Sequence, residues 1–280
     1  MKIGVIGATG ILGRNVVPRL LAQGHEVRAI VRREDAVPRF TAIGAETALA
    51  DIFDTDALTL VLTGCDAAIN VATAVPRPGE TPAWDENTKV RVNGTRSFLA
   101  AAAAAGTTRL LHQSITMIIK SDDGAWVDED SPHHALPHTQ SAVELESLAR
   151  DSDLDWRIVR AALFYGPGTG HDDFLRRRAR NGTLQTPADG QDYLSLIHIT
   201  DLAAAVIAVM ETPTGQQIYM ASDNEPTTYE AFYNYICALE GVDKPTTDGP
   251  VFLPSFRTRN AKLRNLGWLP HYPTYRCGIV

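Results

Sequence analysis

Apolar runs rich in β-branched residues alternate with helical patterns over the first two-thirds of the chain. The strand candidates are KIGVIGA, EVRAIVRR, DAAINVAT and RLLHQSI, and helical patterns such as NVVPRLLAQG separate them. A later candidate, WRIVRAALF, extends the same series. This alternation is typical of right-handed βαβ units on a parallel sheet. The sequence therefore predicts an α/β protein with a doubly wound parallel sheet.

A glycine-rich turn, with Gly7, Gly10 and Gly13 in the spacing G-x-x-G-x-x-G, follows the first strand candidate directly. Gly7 permits a tight turn, Gly10 allows the backbone to approach a diphosphate, and Gly13 allows the next helix to pack on the strand. The N-terminus of that helix offers N–H groups to the phosphates. In this strand–turn–helix context the pattern predicts a Rossmann-type dinucleotide site. Its residues are Gly7, Thr9, Gly10, Ile11, Leu12 and Gly13.

The predicted helices and strands become shorter after about residue 165. The segments GPGTG, PADGQ, PTGQQ and DNEPT then mark turns between shorter elements, and no Ser- or Pro-rich linker separates the two parts. We therefore expect residues 1–165 to form an NAD(P)-binding Rossmann domain. Residues 166–280 then form mainly a smaller C-terminal substrate lobe, which is interleaved with the last strands of the sheet.

The end of the second strand candidate bears on which dinucleotide is bound. An NAD site commonly offers an acidic group to the ribose 2′-hydroxyl there, whereas the 2′-phosphate of NADP calls for arginine. Arg32 and Arg33 stand at this point, while Glu34 and Asp35 come one or two positions late. We expect NADP(H), with NAD(H) as the alternative, because guanidinium groups bind phosphate through paired hydrogen bonds. The other interpretation is that both arginines are simply solvated.

Asp51 and Ile52 follow a short third strand candidate. The Asp51 carboxylate is open to two interpretations. In one, Asp51 and Ile52 lie near the adenine of the cofactor. In the other, Asp51 caps the helix that starts near Thr55.

Composition and charge exclude several classes of protein. The 280 residues are 44% hydrophobic and 21% charged, which allows one large α/β domain or a main domain with a modest second lobe. The net charge of −7 gives no basic field for a nucleic-acid backbone, so nucleic acid is not an expected partner. Cys65, Cys237 and Cys277 are far apart and suit a reducing compartment. No signal-peptide or membrane-span pattern is visible, so we expect a cytoplasmic protein.

The motifs GATGILG, VRR, ADI, NVAT, LFYGPG and LIHITDLA follow one another along nearly the whole chain. In this order they resemble the extended short-chain dehydrogenase/reductase superfamily, in particular its NAD-dependent epimerase/dehydratase group. The resemblance implies that Ser114, beside the cofactor, is the catalytic Ser/Thr that positions a substrate oxygen. It also implies a homodimer through paired helices. The further cofactor contacts that it implies are Val71, Ala72, Thr73, Ala162, Leu163 and Phe164.

One segment departs from the family where proton chemistry is expected. The family carries a Tyr-x-x-x-Lys pair in which the lysine lowers the tyrosine pKa, so that the phenolate acts as a base. Here His138 stands at the tyrosine position and Ala142 at the lysine position, and no tyrosine precedes Phe164. Arg91 also replaces the family's asparagine in N-V-x-G-T. His138 is therefore the candidate acid or base, with a surface histidine as the other interpretation.

Each of two charged clusters can be interpreted either as a binding site or as a structural feature. His133, His134 and His138 lie near the acidic run at residues 128–130, but we expect a solvated acidic turn and no metal site. The basic segment 176–182, RRRARNG, either binds an anionic group of the substrate or forms a solvated helix face.

The leading hypothesis is an NADP(H)-binding oxidoreductase, epimerase or dehydratase with a non-standard active site. Its substrate is a small carbonyl or hydroxyl compound, with nucleotide sugars included. In a hydride-transfer version, Ser114 holds the substrate oxygen and His138 or water carries the proton. The missing Tyr and Lys leave two alternatives: a non-catalytic or regulatory NADP(H)-binding protein, and a non-redox lyase or isomerase on the same fold.

Overall fold

The computed structural model describes residues 1–76 and 84–280. Its strands are β1 Lys2–Ile6, β2 Glu26–Val31, β3 Glu46–Leu49, β4 Ala67–Asn70, β5 Arg109–Ile115, β6 Trp126–Val127, β7 Asp155–Ala161, β8 Leu163–Tyr165, β9 Gln185–Pro187, β10 Tyr193–Leu194, β11 Leu196–His198, β12 Gln217–Ala221, β13 Thr227–Thr228, β14 Thr246–Gly249 and β15 Arg257–Thr258. Its helices are α1 Gly13–Ala22, α2 Val37–Thr41, α3 Thr55–Leu62, α4 Trp84–Ala105, α5 Gln140–Arg150, α6 His171–Arg180, α7 Ile199–Glu211, α8 Tyr229–Glu240, α9 Ala261–Arg264 and α10 Tyr275–Gly278.

Seven strands form one parallel sheet in the spatial order β12-β7-β5-β4-β1-β2-β3. The chain starts at β1 inside the sheet, runs outward to β3, and then crosses to β4 on the other side of β1. The winding direction reverses at this crossing, which is the topological switch point of a doubly wound sheet. The prediction of an α/β fold of the Rossmann type is confirmed.

Two helical layers cover the sheet. Helices α1 and α7 pack together in one layer, in a core that includes Ile3 and Val5 of β1. Helices α3 and α4 pack in the other layer, and Ile6 of β1 belongs to that second core. Since successive side chains of a strand point to opposite faces, β1 is buried on both sides, as its continuous apolar run indicates.

The chain beyond residue 165 contributes to two cores. Strand β12 pairs with β7 at the edge of the central sheet, and α7 packs against α1. Helices α6 and α8 instead surround a separate core in the smaller lobe, which contains Tyr165, Phe232 and Phe256. Within residues 1–76 and 84–280, no helix has both the length and the apolar composition that crossing a membrane requires.

Helix α4 is longer than its sequence pattern indicates. The Asn93-Gly94-Thr95 segment reads as the start of a helix that ends at Gly106, but the helix already begins at Trp84 and passes through this segment. Gly94 has a packing role inside it, because a Cβ there would lie 2.8 Å from Cδ1 of Ile52. The glycine therefore lets α4 approach the loop after β3 and does not end the helix.

Candidate functional site

A cavity of about 710 Å³ is lined by residues that follow the sheet strands at their carboxyl ends, beside the switch point between β1 and β4. This is where doubly wound sheets bind ligands. Gly13, Arg33, Asp51 and Ser114, which the sequence also predicts as site residues, lie outside the lining. The predicted residues that do line it are Gly7, Thr9, Gly10, Ile11, Leu12, Arg32, Ile52, Val71, Ala72, Thr73, His138, Ala162, Leu163 and Phe164.

The glycine turn has the geometry that an anion requires. Gly7 has a φ of 81°, and a Cβ there would lie 2.7 Å from the backbone nitrogen of Ala72. A Cβ at Gly13 would lie 2.6 Å from Cα of Ala8, so Gly13 serves the packing of α1 on the turn. The first turn of α1 carries no acidic side chain, and its N-cap residue Leu12 offers no side-chain cap. The N–H groups of Arg14, Asn15 and Val16 donate to the carbonyls of Gly10 and Leu12, whereas those of Ile11, Leu12 and Gly13 have no partner among the described residues. These three N–H groups are left for phosphate oxygens, which fits a dinucleotide.

The two candidate arginines occupy different places. Arg32 is exposed and lines the cavity together with Ile30 and Ala50. Arg33 lies outside it, where its Nε donates to Asp35 Oδ1 at 3.2 Å in an exposed ion pair. One guanidinium, that of Arg32, therefore faces the end of the cavity where the adenosine ribose is expected.

Asp51 does not cap the third helix. Its Oδ1 accepts a 3.0 Å hydrogen bond from the backbone N–H of Phe53 and closes a turn after β3. The cap of α3 is Asp54, whose Oδ1 accepts from the Ala57 N–H at 3.0 Å. The capping interpretation of Asp51 is wrong by three residues, because the N-cap must directly precede the first helical residue, Thr55.

The far end of the cavity is apolar and aromatic. His138 stacks on Phe252 with ring centroids 4.4 Å apart, and its ring lies 5.2 Å from that of Trp84. Burial lowers the pKa of His138, so its imidazole is neutral at pH 7. Its Nε2 is buried and has no hydrogen-bond partner among the described residues. His138 thus lies where a substrate group is expected, while its role as acid or base stays a prediction.

The side chain of Ser114 lies on the face of β5 that points away from the cavity. Its neighbours Gln113 and Ile115 line the cavity, whereas Ser114 is fully buried away from it. Because successive side chains of a strand point to opposite faces, Ser114 cannot face the ligand together with Gln113 and Ile115. The catalytic role of Ser114 is implied by the family resemblance alone, and its hydroxyl has a partner elsewhere.

That partner is the carboxylate of Glu146 on α5. Ser114 Oγ donates to Glu146 Oε1 at 2.7 Å, and Arg160 donates to both carboxylate oxygens, at 2.8 Å from Nε and 2.7 Å from Nη2. Burial raises the pKa of Glu146, but the hydrogen bonds from Arg160, His133 and Ser114 outweigh it and hold the pKa at about 2. This network is satisfied inside the protein and joins β5, β7 and α5.

Sequence reasoning did not assign seven polar lining residues to the site: Arg14, Glu86, Arg91, Gln113, Thr139, Thr169 and His171. Arg91 on α4 is only 3% exposed, and burial lowers its pKa to about 10, so it remains a cation at pH 7. Burial lowers the pKa of His171, at the start of α6, to about 4. Arg14 donates to the carbonyl of Gly10 at 3.4 Å. The replacement of the family's asparagine by Arg91 was the one available signal.

The two charged clusters have structural partners. Arg176 and Arg180 bind Glu240 of α8 at 3.0 Å and 2.7 Å, so part of the basic face of α6 joins two helices of the smaller lobe. His133 contacts Arg160 at 2.8 Å, while His138 stacks in the aromatic end of the cavity. Among the residues that the structure describes, no three His, Cys, Asp or Glu side chains are grouped to hold a metal ion.

Comparisons with known proteins bear on the family. Residues 7–213 match a family model described as NAD(P)H-binding. The chain is 28% identical to a 3-diazoavenalumate denitrifying reductase of a Streptomyces species, over 100% of this chain and 99% of that protein. It is 27% identical to a 4-hydroxy-2-methyl-3-oxo-4-farnesyl-3,4-dihydroquinoline-1-oxide ketoreductase of Stigmatella aurantiaca, over 86% of this chain and 74% of that protein.

Solved structures share the fold. The dTDP-glucose 4,6-dehydratase DesIV of Streptomyces venezuelae, with NAD bound, has a TM-score of 0.84 and 23% identity, over 100% of this chain and 94% of that one. A short-chain dehydrogenase/reductase superfamily protein of Agrobacterium tumefaciens, also with NAD, has a TM-score of 0.82 and 23% identity, over 100% and 95% of the two chains. The chain belongs to the NAD(P)H-binding family and has the fold of the extended short-chain dehydrogenases/reductases, which reductases, epimerases and dehydratases share.

Proposed function

We propose that the protein is an NADP(H)-dependent reductase that delivers hydride to a small, flat, electron-poor substrate. The observation that carries the proposal is the composition of the cavity. A dinucleotide-binding turn leads into an apolar, aromatic end, and no tyrosine or lysine is found among the described lining residues. Residues 77–83, which lie outside the described part, contain neither residue type. The site therefore favours chemistry that needs a hydride and no strong base.

Arg32 supports NADP(H) over NAD(H). It lines the cavity, whereas the acidic residues that follow it, Glu34 and Asp35, do not. A 2′-phosphate gains charge-assisted hydrogen bonds from this guanidinium, and a bare ribose hydroxyl gains much less.

The same lining disfavours reactions that begin by oxidising a hydroxyl. Such a reaction removes the O–H proton as hydride leaves, so it needs a positioned base of sufficient strength. His138 and His171 have lowered pKa values and are weak bases at neutral pH. When bound, the reduced nicotinamide supplies a hydride, and a reduced product can then take a proton from water.

The relative that matches over the full chain suggests a substrate class. Its name describes reductive loss of nitrogen from a diazo compound. An aryl diazonium that gains a hydride becomes an aryl diazene, and the diazene loses N₂ to leave an arene C–H bond. The atoms and charges balance without any further proton, which fits a site without the Tyr and Lys pair.

The aromatic end of the cavity suits a conjugated ring. Trp84 and His138 line the cavity with ring centroids 5.2 Å apart, and Phe252, outside the lining, stacks on His138 at 4.4 Å. Offset stacking on such a wall binds a flat substrate and excludes water. The Nε2 of His138, which has no partner within residues 1–76 and 84–280, is then available to a polar substituent of that substrate. We place this activity in the cytoplasm, because all three cysteines are free and NADPH is the reductant.

The direct test uses purified protein with NADPH carrying deuterium at nicotinamide C4, an aryl diazonium substrate and a matched aryl ketone. With the diazonium we expect loss of NADPH absorbance and release of one N₂ and one arene per NADPH, because the N–D of the aryl diazene exchanges with water and does not label the carbon. Deuterium in the alcohol from the ketone, without N₂ release from the diazonium, would instead make the protein a ketoreductase. The Leu163→Trp variant fills the cavity end and serves as the blocked-site control.

The missing Tyr and Lys also favour a second candidate, a non-catalytic NADP(H)-binding protein. This alternative predicts tight NADPH binding by calorimetry, with neither N₂ release from the diazonium nor isotope transfer to the ketone. Hydride transfer from the stereochemically labelled cofactor to any member of a broad acceptor panel excludes it.

A further inference from the structure

We propose that Arg91 of α4 binds the diphosphate bridge of the dinucleotide. The inference rests on dinucleotide binding by this cavity and not on the hydride transfer proposed above. Arg91 replaces a neutral asparagine of the family pattern with a permanent cation. The structure offers three independent observations: the burial of this charge, its position along α4, and its link to the glycine turn.

The Arg91 guanidinium is buried without a compensating acid in residues 1–76 and 84–280. It is 3% exposed, and its Nε has no hydrogen-bond partner in that part of the chain. Glu86 is the one acidic residue among the described lining residues, and it pairs with Lys89 at 3.7 Å. A buried charge without a partner is strongly unfavourable. An anionic ligand at this wall of the cavity supplies the missing partner.

The position of Arg91 along α4 indicates which anion this is. Three residues further on, Gly94 contacts Ile52 at the adenine end of the cavity. Seven residues earlier, Trp84 belongs to the aromatic end. At 1.5 Å per residue these points lie about 4.5 Å and about 10 Å from Arg91 along the helix axis. The part of a dinucleotide that lies between adenosine and nicotinamide riboside is the diphosphate.

A short series of contacts also connects Arg91 with the glycine turn. A Cβ on Gly7 would lie 2.7 Å from the nitrogen of Ala72, so the turn touches the loop after β4. Two residues later, the Ala74 N–H donates to Asn87 Oδ1 at 3.1 Å. Arg91 follows Asn87 by one helical turn on the same side of α4. The N-terminus of α1 and the Arg91 guanidinium thus act on one dianionic group from two elements.

Arg91 and Arg32 are proposed to bind different phosphate groups, so their losses should affect different ligands. The diphosphate is common to NADPH, NADH and ADP, whereas the 2′-phosphate occurs in NADPH alone. Loss of Arg91 therefore weakens binding of all three ligands by a similar factor. Loss of Arg32 weakens binding of NADPH alone.

Calorimetric titration of NADPH, NADH and ADP against Arg91→Gln, Arg91→Lys and Arg32→Gln tests this pattern, with the exposed Arg96→Gln on the same helix as a control. We expect Arg91→Gln to raise each dissociation constant about tenfold to hundredfold, the range for a hydrogen bond to a charged group. Arg91→Lys should recover part of this loss. Without cofactor, Arg91→Gln should melt no lower than the parent protein, since the buried charge that it removes has no acidic partner in the described part of the chain.

Two results overturn the proposal. Unchanged dissociation constants for all three ligands, with a raised KM for an anionic substrate, would assign Arg91 to the substrate instead. A cofactor-free Arg91→Gln protein that melts well below the parent, without recovery in Arg91→Lys, would make the residue structural. Binding and melting are measured without turnover, so a protein that fails as a reductase still answers this question.

Discussion

Ser114 and Glu146 are joined by a 2.7 Å hydrogen bond on the face of β5 that points away from the cavity. The serine that occupies the family's catalytic position thus donates to a buried carboxylate of α5. Its contribution in this geometry is to the stability of the β5–α5 contact.

Replacing Ser114 with alanine should lower the free energy of unfolding by about 1 to 3 kcal/mol, because Glu146 loses a hydrogen bond made to a charged group. Denaturant unfolding measures this loss. Ser141→Ala is the matched control, since Ser141 is equally buried but its Oγ has no partner among the described residues. If Ser114→Ala abolishes turnover at unchanged stability, the catalytic role implied by the resemblance is supported instead.

His112 makes stability depend on pH. It is fully buried against Phe98, and burial lowers its pKa from 6.5 to about 4. Below pH 6.5 the unfolded chain takes up a proton that the folded protein resists, so this contribution to stability is complete above pH 6.5. It should fall by about 3 kcal/mol as the pH drops toward 4.

Unfolding free energies between pH 7 and pH 4 check the contribution of His112. The His112→Leu variant should show a smaller slope over this window, while the exposed His134→Gln should keep the slope of the parent. Equal slopes in the parent and His112→Leu would contradict the assignment.

Gly94 and Ile52 couple helix packing to cofactor binding. A Cβ on Gly94 meets Cδ1 of Ile52 at 2.8 Å, and Ile52 lines the adenine end of the cavity. We expect Gly94→Ala to push Ile52 toward the ligand and to weaken NADPH and NADH binding alike. Its effect on stability should be small, because better helix propensity, about 1 kcal/mol, offsets the crowding.

The second substitution Ile52→Val removes the crowding methyl group and should restore binding in the Gly94→Ala background. Fluorescence titration of NADPH against the single and double variants measures this coupling. Additive effects of the two substitutions would exclude it.

Arg32 should determine the preference between the two cofactors. Arg32→Gln should weaken NADPH binding about tenfold to hundredfold and leave NADH binding unchanged, because only the former has a 2′-phosphate. Arg33→Gln is the control of equal charge, since Arg33 pairs with Asp35 outside the cavity. Equal losses from both variants would mean that general charge, and not a specific contact, attracts NADPH.

The phosphate-binding part of the site could be predicted because it is formed by one continuous segment of the chain. The strand, the turn and helix α1 are continuous in the chain, and Gly7 and Gly13 have no substitute where a Cβ would meet backbone atoms. Periodicity also gave the alternation of strands and helices, and hence the parallel sheet.

The other parts of the site could not be predicted from periodicity. They depend on which face of an element a side chain occupies and on contacts between residues that are distant in sequence. The family resemblance assigns Ser114 to the site, but the face of β5 on which its side chain lies is set by the partners Glu146 and Arg160. The local sequence around Gly94 predicts a helix boundary, but the structure has a continuous helix there, because the contact that requires this glycine, Ile52, is remote in sequence. Arg91 was noticed as a departure, but its burial is visible only in the folded chain.

The pairing of β12 with β7 has a consequence for how the protein is made. During synthesis, β7 is complete more than fifty residues before its outer neighbour, β12, leaves the ribosome. Its row of unpaired backbone groups is then a template for pairing with other chains. The two arginines of β7, Arg157 and Arg160, are fully buried in the finished sheet. We expect their charges to oppose such pairing on the nascent strand until β12 is available.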